Sequence, residues 1–164
     1  MELDAILGEV KQHDTEYVCL TGGEPLGQKG IYPLMRRLLD EGRIVSLETN
    51  GSFSIKDVPL DVIKVVDVKC PDSGESGTMA WENLDLIRPH DQLKFVVASK
   101  ADFDWSHQLC LDKGLYDKCT ALFTPAYGLV KPAELAKWIL DSRAKVTMQT
   151  QMHKEIWGPN LRGV

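Results

Sequence analysis

The 164-residue chain has no run of Lys and Arg, no internal repeat, no low-complexity tract and no apolar stretch long enough to cross a bilayer. Each absence closes a class of function. A membrane-spanning helix needs about 20 consecutive apolar residues, so no membrane partner is expected. With 19 basic against 24 acidic residues the formal charge is -5. That balance leaves no electrostatic footprint for nucleic acid. Met1-Glu2-Leu3-Asp4 is acidic and amphipathic, where a secretory leader would be basic and then apolar. A cytoplasmic protein is the expectation. Cysteine is sparse: Cys19, Cys70, Cys110 and Cys119 form neither a C-x-x-C pair nor a three-cysteine cluster-binding run. In a reducing compartment such cysteines are free thiols. What remains is the size of one domain, residues 1–164, with enough apolar content to close one core.

The chain is organised around Tyr17-Val18-Cys19-Leu20-Thr21-Gly22-Gly23-Glu24-Pro25. Four strand-favouring residues run into a polar turn, which predicts a buried strand delivering Thr21 and Glu24 at its carboxyl end. Paired glycines allow a ligand to lie against bare backbone, and Pro25 fixes the exit direction. Glu24 beside the Gly22 and Gly23 carbonyls makes an acceptor cluster suited to an ammonium. No Gly-Lys-Ser or Gly-Lys-Thr follows, so this is not a phosphate loop. An ordinary strand-to-helix turn is the alternative reading of the same residues.

Around it, Leu3, Ile6, Leu7 and Val10 predict an opening amphipathic helix, and Ile31, Leu34, Met35, Leu38 and Leu39 a second, stopped by Gly42. Ile44–Glu48 and Val62–Lys69 are predicted strands, the first ending in Thr49-Asn50-Gly51 and the second pointing Asp67 and Lys69 to one side. A Ser-, Gly- and Asp-rich loop and a short helix near Trp81 to Ile87 follow. Leu93–Val97 is a strand carrying one Lys, Phe103–Leu115 a helix, Cys119–Phe123 a strand ending in Thr124-Pro125, and Pro132 opens a helix. Lys145–Met152 is expected as the last strand, with Gln149, Gln151 and His153 on one face. Six strands separated mostly by helices predict a parallel α/β sheet or a partial barrel. Thr21, Glu24, Glu48, Asn50, Asp67, Lys69 and Thr124 all fall at or beyond strand C-termini, the ligand-binding end of such folds.

These residues resemble the radical S-adenosylmethionine (SAM) enzymes, and within them the 7-carboxy-7-deazaguanine synthases of queuosine and 7-deazapurine biosynthesis. The matching stretches are Thr21–Pro25, Glu48–Ser52, Asp67–Pro71, Ser73–Ser76, Leu93–Val97, Leu122–Pro125 and Pro132–Leu140. The tail Gln149–Pro159, closing in Arg162-Gly163-Val164, is the narrower signal. The resemblance implies an α/β partial (βα) barrel of mostly parallel strands. It also implies that Gly22, Gly23 and Glu24 hold the methionine ammonium of SAM and that Lys69 faces its carboxylate. Glu48, Asn50 and Asp67 are then available to the ribose hydroxyls or a nearby cation, and Thr124 and Pro125 border the adenine. Thr21 and the carboxylate of Val164 would contact the pterin substrate, with Gln151 or His153 lining the same cavity. In the family a reduced [4Fe-4S] cluster cleaves SAM to a radical that, assisted by Mg²⁺, starts ring contraction of 6-carboxy-5,6,7,8-tetrahydropterin.

The family's cluster cysteines lie on a loop between a first strand and the first helix, and this chain begins at what matches that helix. The first strand and cluster loop are therefore expected to be missing. Cys19, inside a strand, does not replace them, so the chain is expected to hold no cluster and to be inactive alone. Tyr17–Leu20 would then form a sheet edge, and a homodimer covering it is expected. A cluster-less SAM- or pterin-binding module and a non-catalytic scaffold are the alternatives.

Overall fold

In the computed structural model, residues 2–161 are described. They form six strands and seven α-helices. β1 (Tyr17–Leu20), β2 (Ile44–Thr49), β3 (Ile63–Val68), β4 (Gln92–Val97), β5 (Thr120–Pro125) and β6 (Thr147–Met148) make one sheet in the order of the chain. Every neighbouring pair is parallel. A sheet whose strand order follows the sequence sends every crossover in the same direction, and uniform right-handedness then puts all connecting helices on one face. The result is an open, partial (βα) barrel.

The helices are α1 (Leu3–Val10), α2 (Ile31–Asp40), α3 (Asn83–Leu86), α4 (Lys100–Asp112), α5 (Leu115–Lys118), α6 (Pro132–Ser142) and α7 (Met152–Trp157). No described helix is long and apolar enough to cross a membrane. α2 buries Ile31, Leu34, Met35 and Leu38, a single stripe at helical spacing. Beneath the helices the sheet contributes Val45, Leu47, Val66, Val68, Leu93, Phe95, Val97 and Phe123, all buried. Phe123 is the hub of the core, with ring centroids 5.0 Å from Phe95 and 5.7 Å from Phe103. The alternate residues of the strands, including Ser46, Glu48, Val65, Asp67, Lys94 and Val96, face the concave side without a helix over them.

β1 is the expected edge, paired with β2 alone. Three expectations change. β1 is not buried: its residues alternate between exposed and half-buried, Tyr17 is 69% exposed and Cys19 is exposed too. The last strand is two residues long. Its partner β5 ends in Pro125, which has no N–H to extend the ladder. One further bond, from the Gln149 N–H to the Phe123 carbonyl at 3.0 Å, completes the pairing before the chain turns into α7. His153 consequently belongs to a helix and not to a strand face.

Burial pushes the thiols of Cys70, Cys110 and Cys119 up to about 11, about 12 and about 11. At pH 8 a disulfide reagent should modify exposed Cys19 first and the other three at least roughly tenfold more slowly, until denaturant releases them. A raised thiol pKa also sets a sign for stability. The folded state holds these protons more tightly than the unfolded chain, so their contribution is complete below pH 9. It is lost as pH rises toward 11 to 12. A urea midpoint that stayed flat from pH 8 to 11 would contradict it.

Candidate functional site

The carboxyl ends of the strands carry a mouth built from turns. Gly22 and Gly23 adopt φ of 92° and 58°, a left-handed region that suits glycine, and a Cβ at either would meet open space. Their backbone is thus laid bare to the outside. Glu24 turns the other way. Its Oε1 accepts from the Leu26 N–H at 3.1 Å and the Thr49 hydroxyl at 2.7 Å, and its Oε2 accepts from the Asn50 N–H at 2.7 Å. The carboxylate therefore ties the turn after β1 to the turn after β2. A carboxylate offers about four lone-pair sites, so one remains for a ligand.

Asn50 commits its side-chain oxygen locally, accepting from the Ser52 N–H at 2.9 Å and the Ser52 hydroxyl at 2.6 Å. Buried Asn83 holds the same loop from below. Its amide donates to the Phe53 carbonyl at 2.9 Å, and its oxygen accepts from the Ile55 N–H at 3.0 Å. Together these bonds fix the loop carrying Asn50.

At the centre of the concave face stands a chain of four charges. Lys69 donates to Asp67 at 3.0 Å, and the Lys94 ammonium lies 3.9 Å from Asp67 and 3.8 Å from Glu48. Register explains the meeting, because Asp67 is the direct cross-strand partner of Lys94. A cavity of about 240 Å³ opens beside this chain, lined by Glu48, Lys94, Thr124, Gln149, Gln151 and His153. Next to it a cleft of about 440 Å³ runs under the loop after β5, past Pro125, Tyr127 and Val130, and shares Gln151 with the cavity. Two buried polar atoms here, Thr124 Oγ1 and Gln151 Oε1, have no hydrogen-bond partner among the described residues.

The structure thus brings together Glu48, Asp67 and Lys69 in one group and Thr124, Gln151 and His153 in another. Gly22, Gly23, Glu24 and Asn50 form the adjoining rim. Thr21 stands exposed at the end of β1, at the opposite end of the strand order from Gln151 and His153. Val164 lies outside the described residues. Sequence reasoning gave no site role to Lys94, Thr49 or Asn83. For Lys94 a signal existed, a lone Lys on an alternating strand whose other face is apolar. For Thr49 and Asn83 the bonds run between segments that only folding brings together.

Among the described residues no group of three or more His, Cys, Asp or Glu side chains is placed to hold a metal ion. The four cysteines are dispersed, so an iron–sulfur cluster finds no ligand set in them.

The architecture recurs in solved structures. QueE from Escherichia coli superposes with a TM-score of 0.65 at 19% identity, over 91% of this chain and 61% of that one. Streptococcus suis SuiB bound to S-adenosylmethionine gives 0.60 at 14% identity, over 98% of this chain and 45% of that one. The fold is the partial barrel of radical SAM proteins. No protein-family model matches the chain. Curated proteins match along its whole length, and each is a 7-carboxy-7-deazaguanine synthase. That of Koribacter versatilis is 40% identical over 179 residues, covering 100% of this chain and 79% of the relative. That of Chlorobaculum tepidum is 40% identical over 167 residues, covering 100% and 76%. The chain belongs to the 7-carboxy-7-deazaguanine synthase family.

Proposed function

We propose that this chain is the SAM- and pterin-binding body of a 7-carboxy-7-deazaguanine synthase, acting on 6-carboxy-5,6,7,8-tetrahydropterin. The observation that carries the reading is the pair of unpartnered buried atoms, Thr124 Oγ1 and Gln151 Oε1. Leaving such atoms unpaired is costly, and both line a cavity open to the charged floor. A ligand with amino and ring N–H edges would satisfy them. The bare Gly22 and Gly23 backbone and the remaining lone pair of Glu24 suit an ammonium, Lys69 suits a carboxylate, and Glu48 and Asp67 suit a diol. SAM carries all of these groups.

When bound in this family, SAM supplies the hydrogen-abstracting radical. The residues of this chain bind and orient it. The cluster that must reduce it does not fit the four cysteines described, so the reading confines this chain's own part to binding. Mg²⁺ belongs to the reading through family membership, with no ligand set assigned to it here.

Replacing Thr124 with Val tests the carrying observation. The isosteric methyl removes an unsatisfied hydroxyl, so the free chain should gain about 1 kcal/mol of stability. SAM affinity, measured by titration calorimetry, should fall roughly tenfold. Stability and binding moving in opposite directions is the expected signature of a site atom. If Thr124→Val destabilised the chain and left SAM binding unchanged, the hydroxyl would be structural and the reading would lose its support. Iron analysis after anaerobic reconstitution, run beside the titration, should find no cluster; iron at cluster stoichiometry would overturn the binding-only role.

A further inference from the structure

Two cavities on the concave face meet at one side chain. The first, of about 230 Å³, is lined by Asp67, Lys69, Cys70, Ser73 and Val96 together with Lys94. The second is the cavity of about 240 Å³ at Glu48, Thr124 and Gln151, and Lys94 lines it as well. Among the residues lining either, Lys94 alone belongs to both. Its side chain is 23% exposed, and its ammonium stands 3.8 Å from Glu48 and 3.9 Å from Asp67. Those distances balance charge but exceed hydrogen-bond length. Lys69 differs, because it is bonded to Asp67 at 3.0 Å. An ammonium has three donors, and a largely desolvated one is stabilised by filling them. Lys94 is held between two carboxylates with that capacity unspent.

We propose that Lys94 couples two ligands on this charged floor, so that SAM bound against Glu48 and Asp67 strengthens the binding of an anionic heterocycle, a pterin carboxylate, in contact with the same ammonium. The proposal rests on the SAM reading above. Glu48, Asp67, Lys69 and Lys94 sum to zero when all are ionised. Hydroxyl groups that occupy Glu48 and Asp67 take over part of what those carboxylates offer Lys94. Its charge and donors are then released toward the second ligand. Without Lys94 the floor keeps two carboxylates against Lys69, a net negative surface that repels an anion. Coupling of this kind is reciprocal, so the carboxylate ligand tightens SAM by the same factor.

The test is calorimetry on the full chain with SAM and pterin-6-carboxylate, each titrated alone and with the other saturating. In the unaltered chain each ligand should tighten the other about tenfold. In Lys94→Met the coupling should fall below about twofold and pterin-6-carboxylate should bind more weakly. Lys94→Arg should retain coupling, and Lys94→Gln, which keeps donors without charge, should lose it. Thermal melts identify any variant that fails to fold, and Lys94→Arg against Lys94→Gln then decides. Independent binding of the two ligands in the unaltered chain, or coupling that survives Lys94→Met, overturns the proposal and leaves the SAM reading intact. No SAM binding at all sinks both.

Discussion

Replacing Asp91 with Asn is expected to destabilise the fold by about 3–5 kcal/mol, read as a large drop in the urea midpoint. Asp91 is 0% exposed and Lys64 3%. Oδ1 of Asp91 accepts from the Lys64 backbone N–H at 2.8 Å and pairs with the Lys64 ammonium at 3.0 Å, while Oδ2 accepts from the Arg88 N–H at 2.9 Å. The ammonium has the Val62 carbonyl as a further acceptor at 3.0 Å. An amide cannot neutralise Lys64, so the substitution leaves a buried charge without its counter-ion. The pair sits where β3 and β4 begin, at the end of the sheet away from the mouth. SAM affinity of the folded fraction should therefore be unchanged. The double change Lys64→Met with Asp91→Asn should recover part of the loss, because it removes the unpaired charge while the amide oxygen still accepts the backbone N–H of residue 64. If Asp91→Asn alone moved the midpoint by less than the equivalent of about 1 kcal/mol, the buried pair would not hold the starts of β3 and β4 together.

Gly51→Ala should cost roughly 2–4 kcal/mol and, unlike the Asp91 change, should also weaken SAM binding by at least about tenfold. Gly51 has φ of 77°, and a Cβ there would lie 2.6 Å from the Asp67 carbonyl oxygen and 3.0 Å from the Met79 sulfur. The sulfur can shift, but the carbonyl is main chain in the middle of the site. Pushing it moves Asp67 on one side and the Asn50 turn on the other. Gly22→Ala is the control: its φ of 92° is equally unfavourable, yet its Cβ meets nothing within 4 Å. In stability that variant should carry only the backbone strain of about 1–2 kcal/mol. Equal stability losses in the two variants would mean that close approach to Asp67 contributes nothing.

Much of this architecture was legible in the sequence where local chemistry decides. The bounds of β1 follow from Tyr17–Leu20 running into paired glycines, and α2 follows from the apolar stripe from Ile31 to Leu39 stopped by Gly42. The convergence of Glu48, Asp67 and Lys69 follows from alternation on parallel strands. The failures share a cause. Gln149, Gln151 and His153 alternate as a strand would, but the length of β6 is set by Pro125 on another segment. Cys19 is in an apolar strand, yet its burial depends on what lies beyond β1. Lys94 became the centre of the site through its register against Asp67, and Glu24 became a cross-link through Thr49 and Asn50. Pairings across the sheet are properties of the folded chain, and no single stretch carries them.

Strand order that copies chain order also gives the molecule a direction in time. Each unit can dock on the one made just before it, without waiting for a distant segment, so a chain emerging from the ribosome can build its sheet from β1 toward β5 as it lengthens. The wall at β6 joins the mouth after the other strands. Gln149, Gln151 and His153 wall the cavity from the stretch that follows β5, held to the sheet by a two-residue strand. A nascent chain released short of β6 would keep its packed body and lack a wall of the ligand cavity, so ligand binding reports whether that wall has been added.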